Sequence, residues 1–567
     1  MFFRVFFSIR MGFFQILLMA ATTFGFGMAA RAQVVTIPDD GLRNGIIQQL
    51  NLSGPPITVS NLLQLTNLYV VCQDTTGLEY AHNLRDFADY NIALTNLSGF
   101  AGLTNLTSLG LYNCNISNVL FLTSFPKLST LVLNGNPLTN ISPLTNLLGL
   151  QYLSLNSDPL ASADPLAALV NLTNLNLDFT GISNVTFAAS LHQLSSLSLG
   201  YNQIGNVSPL SGLGMLTYLN LNYNQPTNFN LLATLTNLTD LNIYDCGQKE
   251  LGILANFIKL NVLNASYNQV SNLTPFAGLT NLTYLDLGYN VITNLGPLQS
   301  LTNLNYLSVY DNQVDKLEPI SGMHLLSTLD CSYNQITNIS PVTNLLNLSS
   351  LALNDNPLLG MAAVTNLPLL QSLAVENCNL AQLPDLSPLS SLYYLDLNGN
   401  QISDLGSVAS LTNLGDLNLG GNLLTNLSSL SNLTQLNYLN IRGDHIFRLD
   451  PLSGLTNLTQ LYASDNRISN LSALTNFPNL NYAGLEYNNL DLSYGSAASN
   501  IVYSFTQKGA AVYVVPQRTV AIITTQPVSQ VYNEGSNVDF TIVYTPYSPG
   551  PASLQWYFND TPLTGCD

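Results

Sequence analysis

Tyrosine and aspartate recur in this chain at fixed intervals, and the chemistry they offer is recognition. Tyr201, Tyr223, Tyr267, Tyr289 and Tyr333 stand at multiples of 22 residues from one another, and Tyr244 and Tyr310 stand one position early in the same series. Phe179 and Tyr487 extend it. A second series holds Tyr152, Tyr218, Tyr284, Tyr306, Tyr394, Tyr438 and Tyr482, and Asp286, Asp330 and Asp396 fall between the two. Tyrosine offers a large rigid contact area with a polar tip and is enriched where binding energy concentrates. The functional reading is an extended aromatic and acidic strip that binds a ligand. The competing reading is that duplication copied the tyrosines, which then only shield strand backbone.

Other chemistry is scarce. The chain has no His-Glu-x-x-His, no phosphate-cradling glycine loop and no Gly-x-Ser-x-Gly elbow. His82, His192, His324 and His445 are too scattered for a metal site, and His192 and His324, on the second leg of their coils, read as solvated surface. Asp286 and Asp330 would lie on alternate coils, ~10 Å apart, too far to share an ion. No metal and no cofactor are expected, and an enzyme has little support. Cys114, Cys246 and Cys378 share one column at intervals of 132 residues. That is six coils, or roughly 30 Å at ~4.8 Å per strand, whereas a disulfide needs Cα atoms within ~7 Å. The repeat cysteines, Cys331 included, read as packed thiols; Cys72 and Cys566 lie near the two ends. Lys127/Lys259 and His192/His324 repeat the interval of 132, which hints at duplication of a six-coil block.

The rest of the chain must position these side chains. It has 567 residues, of which only 8% are charged, against roughly 25% in ordinary soluble domains. The formal charge is −18. So few Lys and Arg give no footprint for a phosphate backbone or an anionic membrane, so no nucleic-acid partner is expected. Polarity comes from Asn, Ser and Thr while Leu is abundant, which argues against disorder.

Residues 1–32 carry Arg4 and Arg10 before an apolar stretch from Met11 to Met28, then Ala30-Arg31-Ala32. This is the pattern of a secretory signal peptide cleaved near Ala32. Its loss removes three Arg and leaves a balance of −21. The expected location is secreted or cell-surface, with no membrane insertion after cleavage.

Most of the remainder repeats every 22 residues. Stepping from 92 to 488 gives 19 coils. The key column holds Asn136, Asn202, Asn224, Asn268, Asn290, Asn312, Asn334, Asn356, Asn400, Asn422, Asn466 and Asn488. Cys114, Cys246, Cys378, Asp158, Asp444, Thr180 and Ile92 replace Asn elsewhere. Each coil has two legs. Leu282-x-x-Leu285-x-Leu287 alternates like a strand, and stacked coils would join such strands into a parallel sheet. Ile292, Leu295, Leu298, Leu301 and Leu304 recur every third residue, which suits 3₁₀ turns. Pro follows the key column by seven residues at 143, 165, 209, 275, 297, 319, 341 and 451, consistent with a tight turn there.

Residues 279–295, LTNLTYLDLGYNVITNL, and their copies resemble the leucine-rich repeat family, most closely the 22-residue class of bacterial internalins. The resemblance implies an α/β solenoid: a right-handed superhelix with a parallel β-sheet on its concave face and 3₁₀ turns and loops on the convex side. It implies that the key Asn bonds backbone of its own and the adjacent coil, as a structural ladder, and that Tyr201–Tyr333 face out from the concave sheet. Thr36–Leu50 is similar to the helical cap of bacterial repeats, with Leu42, Ile46, Ile47 and Leu50 on one face. After Leu492 the pattern fades. Ile501–Tyr503 and Ala511–Val515 read as strands covering the last coil. Thr524–Ser529, Glu534–Phe540 and Leu554–Phe558 resemble the opening strands of an immunoglobulin-like domain, with Trp556 in its core and only about 47 residues of the ~100 that a sandwich needs.

The domain reading is a signal peptide 1–32, a cap and irregular first repeat 33–83, repeats 84–495, a C-terminal cap or linker 496–520 and a partial immunoglobulin-like segment 521–567. The functional expectation is a secreted or surface recognition protein binding a partner protein through Tyr201, Tyr218, Tyr223, Tyr244, Tyr267, Tyr284, Tyr289, Tyr306, Tyr310, Tyr333, Asp286 and Asp330. A glycan ligand, or an adhesive spacer with no ligand, stays open, and the sequence does not set the oligomeric state.

Overall fold

The computed structural model describes residues 33–518 and four short strands at 522–525, 543–545, 557–558 and 561–562. Residues 1–32, where the sequence predicts a signal peptide, lie outside the described residues, as do Trp556 and Cys566. The chain forms two compact units, divided in sequence between Ser195 and Ser196.

The first unit opens with a helix, Asp40–Gln49. Asp39 caps it by accepting from the Leu42 N–H at 2.8 Å. Leu42 and Ile46 are its buried face, while Ile47 and Leu50 are half-buried. A short second helix, Val59–Leu62, starts at a reciprocal cap between Thr58 and Asn61. Strands Asn67–Val70, Asp86–Tyr90, Ser108–Tyr112, Thr130–Val132, Tyr152–Ser154 and Asn174–Asn176 then pair in parallel.

The second unit repeats the same plan from Ser196–Ser198 to Tyr482–Gly484. Neighbouring strands are parallel and 22 residues out of phase, as in Tyr284↔Tyr306 and Asp286↔Ser308↔Asp330. A fixed 22-residue register makes like residues stack, so one substitution pattern becomes a row. The middle residue of each triplet points inward; Leu285, Leu307 and Leu329 are fully buried. The second leg buries Ile292, Leu295, Leu298, Leu301 and Leu304. A 3₁₀ turn forms where the period of three predicts it, with Pro in its first turn at 297, 319 and 341. Proline is at home there because its missing N–H has no partner to lose.

One expectation is corrected at the end of the repeats. Ile501–Tyr503 are not a strand; they belong to the helix Ala497–Gln507, which buries Ala498 and Phe505. Gly495 (φ 81°) breaks the preceding chain, and Ser496 caps the helix by accepting from the Ser499 N–H at 3.1 Å. Cap and tertiary contact outweigh the β-branched pair Ile501-Val502. Ala511–Tyr513 does form a strand. It pairs in parallel with Tyr482–Gly484 and covers that sheet edge. Farther on, Ile522–Thr525 pairs antiparallel with Val543–Thr545, and Tyr557–Phe558 with Thr561–Pro562. Among the described residues no helix is long and apolar enough to cross a membrane.

Candidate ligand-binding face

The key column sets the geometry of the face. Asn290 is buried, and its Nδ2 donates to the carbonyls of Ala265, Leu287 and Gly288 at 3.1, 2.9 and 3.1 Å. Its Oδ1 accepts from the Val270 N–H at 2.9 Å. Asn312 repeats this one coil later, with Leu287, Val309 and Tyr310 carbonyls and the Ile292 N–H. One amide thus ties two coils together, and every Asn of the column from Asn136 to Asn488 is buried. Where Cys replaces Asn the thiol becomes the donor. Cys246 Sγ lies 3.1 Å from Leu221 O, and Cys378 Sγ lies 3.1 Å from Leu353 O. Burial pushes these thiols up to about 12 and about 11, so they stay protonated and can donate. All five described cysteines are free and buried.

Aspartate fits the column less well, which the sequence alone did not reveal. Asp158 Oδ1 accepts from the Asn136 N–H at 2.6 Å, but its Oδ2 is buried without a partner. Asp444 Oδ1 accepts from the Leu424 N–H at 3.1 Å, with Oδ2 orphaned in the same way. Burial pushes Asp158 up to about 8 and Asp444 up to about 7. A carboxyl that has lost its solvation and gained little in return holds its proton.

Bending the chain into each buried Asn forces the preceding residue into the left-handed region. Tyr201, Tyr223, Tyr267, Tyr289 and Tyr333 have φ between 52 and 55°. That conformation costs a residue with a Cβ roughly 1–2 kcal/mol, and Gly399, Gly421 and Gly443 occupy the same position without that cost. At the tyrosines, ring stacking offsets it. The centroids run Tyr201–Tyr223 4.1 Å, Tyr223–Tyr244 5.0 Å, Tyr244–Tyr267 4.8 Å, Tyr267–Tyr289 3.9 Å, Tyr289–Tyr310 5.0 Å and Tyr310–Tyr333 5.0 Å. Each such pair contributes ~0.5–1.5 kcal/mol beyond its buried area. Seven residues thus form one continuous ribbon. Tyr201, Tyr267 and Tyr333 remain 40–46% exposed, so the ribbon presents ring edges and hydroxyls to solvent.

A second row runs along the opposite margin of the strands. Tyr284 and Tyr306 stack at 4.3 Å and 7°. Tyr218 stands in the same column and is 38% exposed. Asp286 and Asp330 lie between the rows, half-buried. Burial pushes the Asp286 carboxyl up, the Gly288 N–H pulls it down, and Asp330 raises it further. Burial, followed by the charge of Asp286, raises the Tyr306 phenol.

Residues that the two-series reading passed over also join the face. Asp245, Asp311 and Asp355 take the left-handed position in coils where the tyrosine moves one place back or is absent. Their signal was their place in the tyrosine column. Tyr462 and Tyr513 complete a separate row with Tyr438 and Tyr482, at 5.3, 4.5 and 5.6 Å. In the first unit Tyr90 and Tyr112 stack at 4.8 Å. The four histidines are exposed and well separated, and among the described residues no group of His, Cys, Asp and Glu could hold a metal ion.

Comparison with known proteins agrees with this geometry. A family profile described as Leucine Rich repeats (2 copies) matches residues 258–300 and 280–322. No curated protein matches the chain. Among solved structures, the functional domain of InlJ from Listeria monocytogenes, described as including a cysteine ladder, is 24% identical over 60% of this chain and 74% of its own, with a TM-score of 0.53. The ectodomain of the Arabidopsis receptor kinase HAESA, in complex with an IDA peptide hormone, is 22% identical over 74% of this chain and 79% of its own, with a TM-score of 0.58. The mouse RP105/MD-1 complex is 21% identical over 78% and 88%, with a TM-score of 0.52. These likenesses are likenesses of fold. Residues 258–322 match the leucine-rich repeat profile, and the fold of the chain is like that of the LRR ectodomain of HAESA.

Proposed function

We propose that this is a non-enzymatic recognition protein that binds a partner protein through the outward face of its parallel sheet, between Tyr201 and Tyr333. The carrying observation is the unbroken ribbon of ring contacts beside half-buried carboxylates. Tyr201, Tyr223, Tyr244, Tyr267, Tyr289, Tyr310 and Tyr333 supply the ribbon, Tyr218, Tyr284 and Tyr306 the opposite margin, and Asp286 and Asp330 the charge between them. The column Asn136–Asn488 keeps the coils in register and touches no ligand. Two solved neighbours are described as complexes, one with a peptide hormone and one with a protein partner, which supports a polypeptide ligand.

The proposal extends to an internalin-like class, to secretion after cleavage near Ala32, and to an immunoglobulin-like segment from 521. The short antiparallel pair Ile522–Thr525 with Val543–Thr545 supports an all-β segment there. A sugar ligand is disfavoured by the ring geometry. Stacking on a sugar needs an open ring face, and the pairs Tyr201–Tyr223 and Tyr267–Tyr289 stack on each other at 4.1 and 3.9 Å.

The test compares the full chain with a Tyr267→Ala, Tyr289→Ala, Tyr310→Ala variant in cross-linking to cell-surface proteins and on a glycan array. The expected result is a protein hit that the variant loses, with a silent array. Unchanged cross-linking by the variant removes this face from consideration.

A further inference from the structure

Between Ser196 and Gly399 the outward sheet positions carry Asp240, Asp245, Asp286, Asp311, Asp330 and Asp355, then Glu376 and Asp396. The same positions hold no Lys, Arg or His; Lys249, Lys259 and Lys316 fall on other legs of their coils. The ion pairs among the described residues are Arg43–Asp40, Arg442–Asp465 and Arg448–Asp450, none of them on this stretch. Half-buried carboxylates are therefore left uncompensated along a face whose rows of rings exclude part of the water. Opposite charge supplied from outside would meet less desolvation cost there than in an isolated buried site, and less screening than at an open surface.

The spacing of the charges narrows the choice of ligand. Asp286, Ser308 and Asp330 stand in register across three parallel strands. Two strand spacings of ~4.8 Å place the carboxylate-bearing positions about 9.6 Å apart, along a line that crosses the strands. Tyr284 and Tyr306 stand on one side of this line, and Tyr289, Tyr310 and Tyr333 on the other. The floor is kept low beside Asp286. A Cβ on Gly288 would come within 3.3 Å of Asp286 Oδ1 and 3.6 Å of the Tyr310 Cβ. A polyproline II chain has three residues per turn and rises ~3.1 Å per residue, so positions i and i+3 share a face and lie ~9.3 Å apart. A β-extended chain offers ~6.6 or ~13 Å on one face instead. Aromatic-lined grooves are also a recurring seat for polyproline II segments.

We infer that the strip over Asp286 and Asp330, between the two tyrosine rows, binds a polyproline II segment of a partner protein that carries Lys or Arg at every third position. This rests on the protein-binding reading above and names the partner chemistry for that same face. The cations would sit on Asp286 and Asp330, and the intervening prolines against the ring edges.

The test titrates the full chain with three synthetic peptides of equal length that carry three Lys each: a Pro-rich peptide with consecutive Lys-Pro-Pro repeats, a Thr-rich peptide with Lys at alternate positions and an Ala-rich helical peptide with Lys at i, i+7 and i+14. The expected result is saturable binding of the Lys-Pro-Pro peptide, at least tenfold tighter than the other two. It should weaken at least tenfold in the Asp286→Asn, Asp330→Asn variant, with an unchanged circular dichroism spectrum and thermal midpoint. Asp240→Asn, off the line, should leave it within twofold. Equal binding of all three peptides, or better binding of the alternating or helical one, overturns the proposal. So does binding that the double variant retains. The surface cross-linking assay separates the two levels. A hit that the Asp pair variant keeps and the tyrosine triple variant loses defeats the cationic ligand but not the face, whereas a hit that both keep defeats both.

Discussion

Tyr284 and Tyr306 lie face to face, 4.3 Å between ring centroids and 7° from parallel, because the strands that carry them pair residue for residue at a distance of 22. The pairing turns a sequence period into a spatial row. It also means that local changes in one coil are felt mainly by the coils on either side.

Replacing Asn290 by Leu removes donors from the Ala265, Leu287 and Gly288 carbonyls and the acceptor of the Val270 N–H. Leaving such buried groups unsatisfied costs about 2 kcal/mol. A urea unfolding curve should show a lowered midpoint, and an unchanged midpoint contradicts the bracing role of the column.

Asp158 gives a pH dependence whose sign can be worked out. Its carboxyl is held up to about 8 in the fold, against an ordinary value of 3.8. The folded chain therefore binds the extra proton between these values, and stability falls as pH rises through that window. Asp158→Asn supplies an amide donor for the orphaned position. It should raise the thermal midpoint at pH 8, by the equivalent of ~1–3 kcal/mol, and flatten the dependence between pH 5 and 8. A variant less stable than the parent at pH 8 would falsify this reading.

Tyr289 tests whether the ribbon serves binding or folding. Tyr289→Gly relieves a left-handed conformation worth roughly 1–2 kcal/mol and forfeits two ring contacts of ~0.5–1.5 kcal/mol each. The net change in stability should lie between about 1 kcal/mol gained and about 2 kcal/mol lost, while cross-linking to a surface partner drops. A loss of several kcal/mol with binding intact would make the ribbon a folding device.

Binding through Asp286 should weaken on acidification before an ordinary aspartate would titrate. Burial and Asp330 together hold its carboxyl above the usual range, against the Gly288 N–H, with Ser266, Ser308 and the Tyr284 and Tyr306 rings around it. Affinity for the Lys-Pro-Pro peptide should fall on acidification at a pH above the usual aspartate range, and Asp286→Asn should remove that dependence. A flat profile in the parent chain argues against a charged contact at this position.

The repeat was legible because its period is rigid. Leu285 and Leu307 sit inward for the same reason that Tyr284 and Tyr306 sit outward, and 22-residue counting reveals both. The ring geometry was less legible. Counting placed Tyr267 and Tyr289 in one column but could not tell that their rings would stack 3.9 Å apart and cover each other's faces, which depends on the left-handed backbone before each buried Asn. The protonated state of Asp158 was hidden for a related reason. Asp and Asn look alike in a pattern, and only the orphaned Oδ2 distinguishes them. Ile501–Tyr503 misled because their β-branched pair suits a strand, while the deciding signals, Gly495 and the cap at Ser496, lie upstream of them.

The central claim is that the tyrosine ribbon and its carboxylates form the binding face. The most direct measurement is the affinity of the full chain for its cross-linked surface partner, compared with that of the Tyr267→Ala, Tyr289→Ala, Tyr310→Ala variant. The account predicts at least a hundredfold loss with the repeat array still folded. An affinity within threefold of the parent would contradict it.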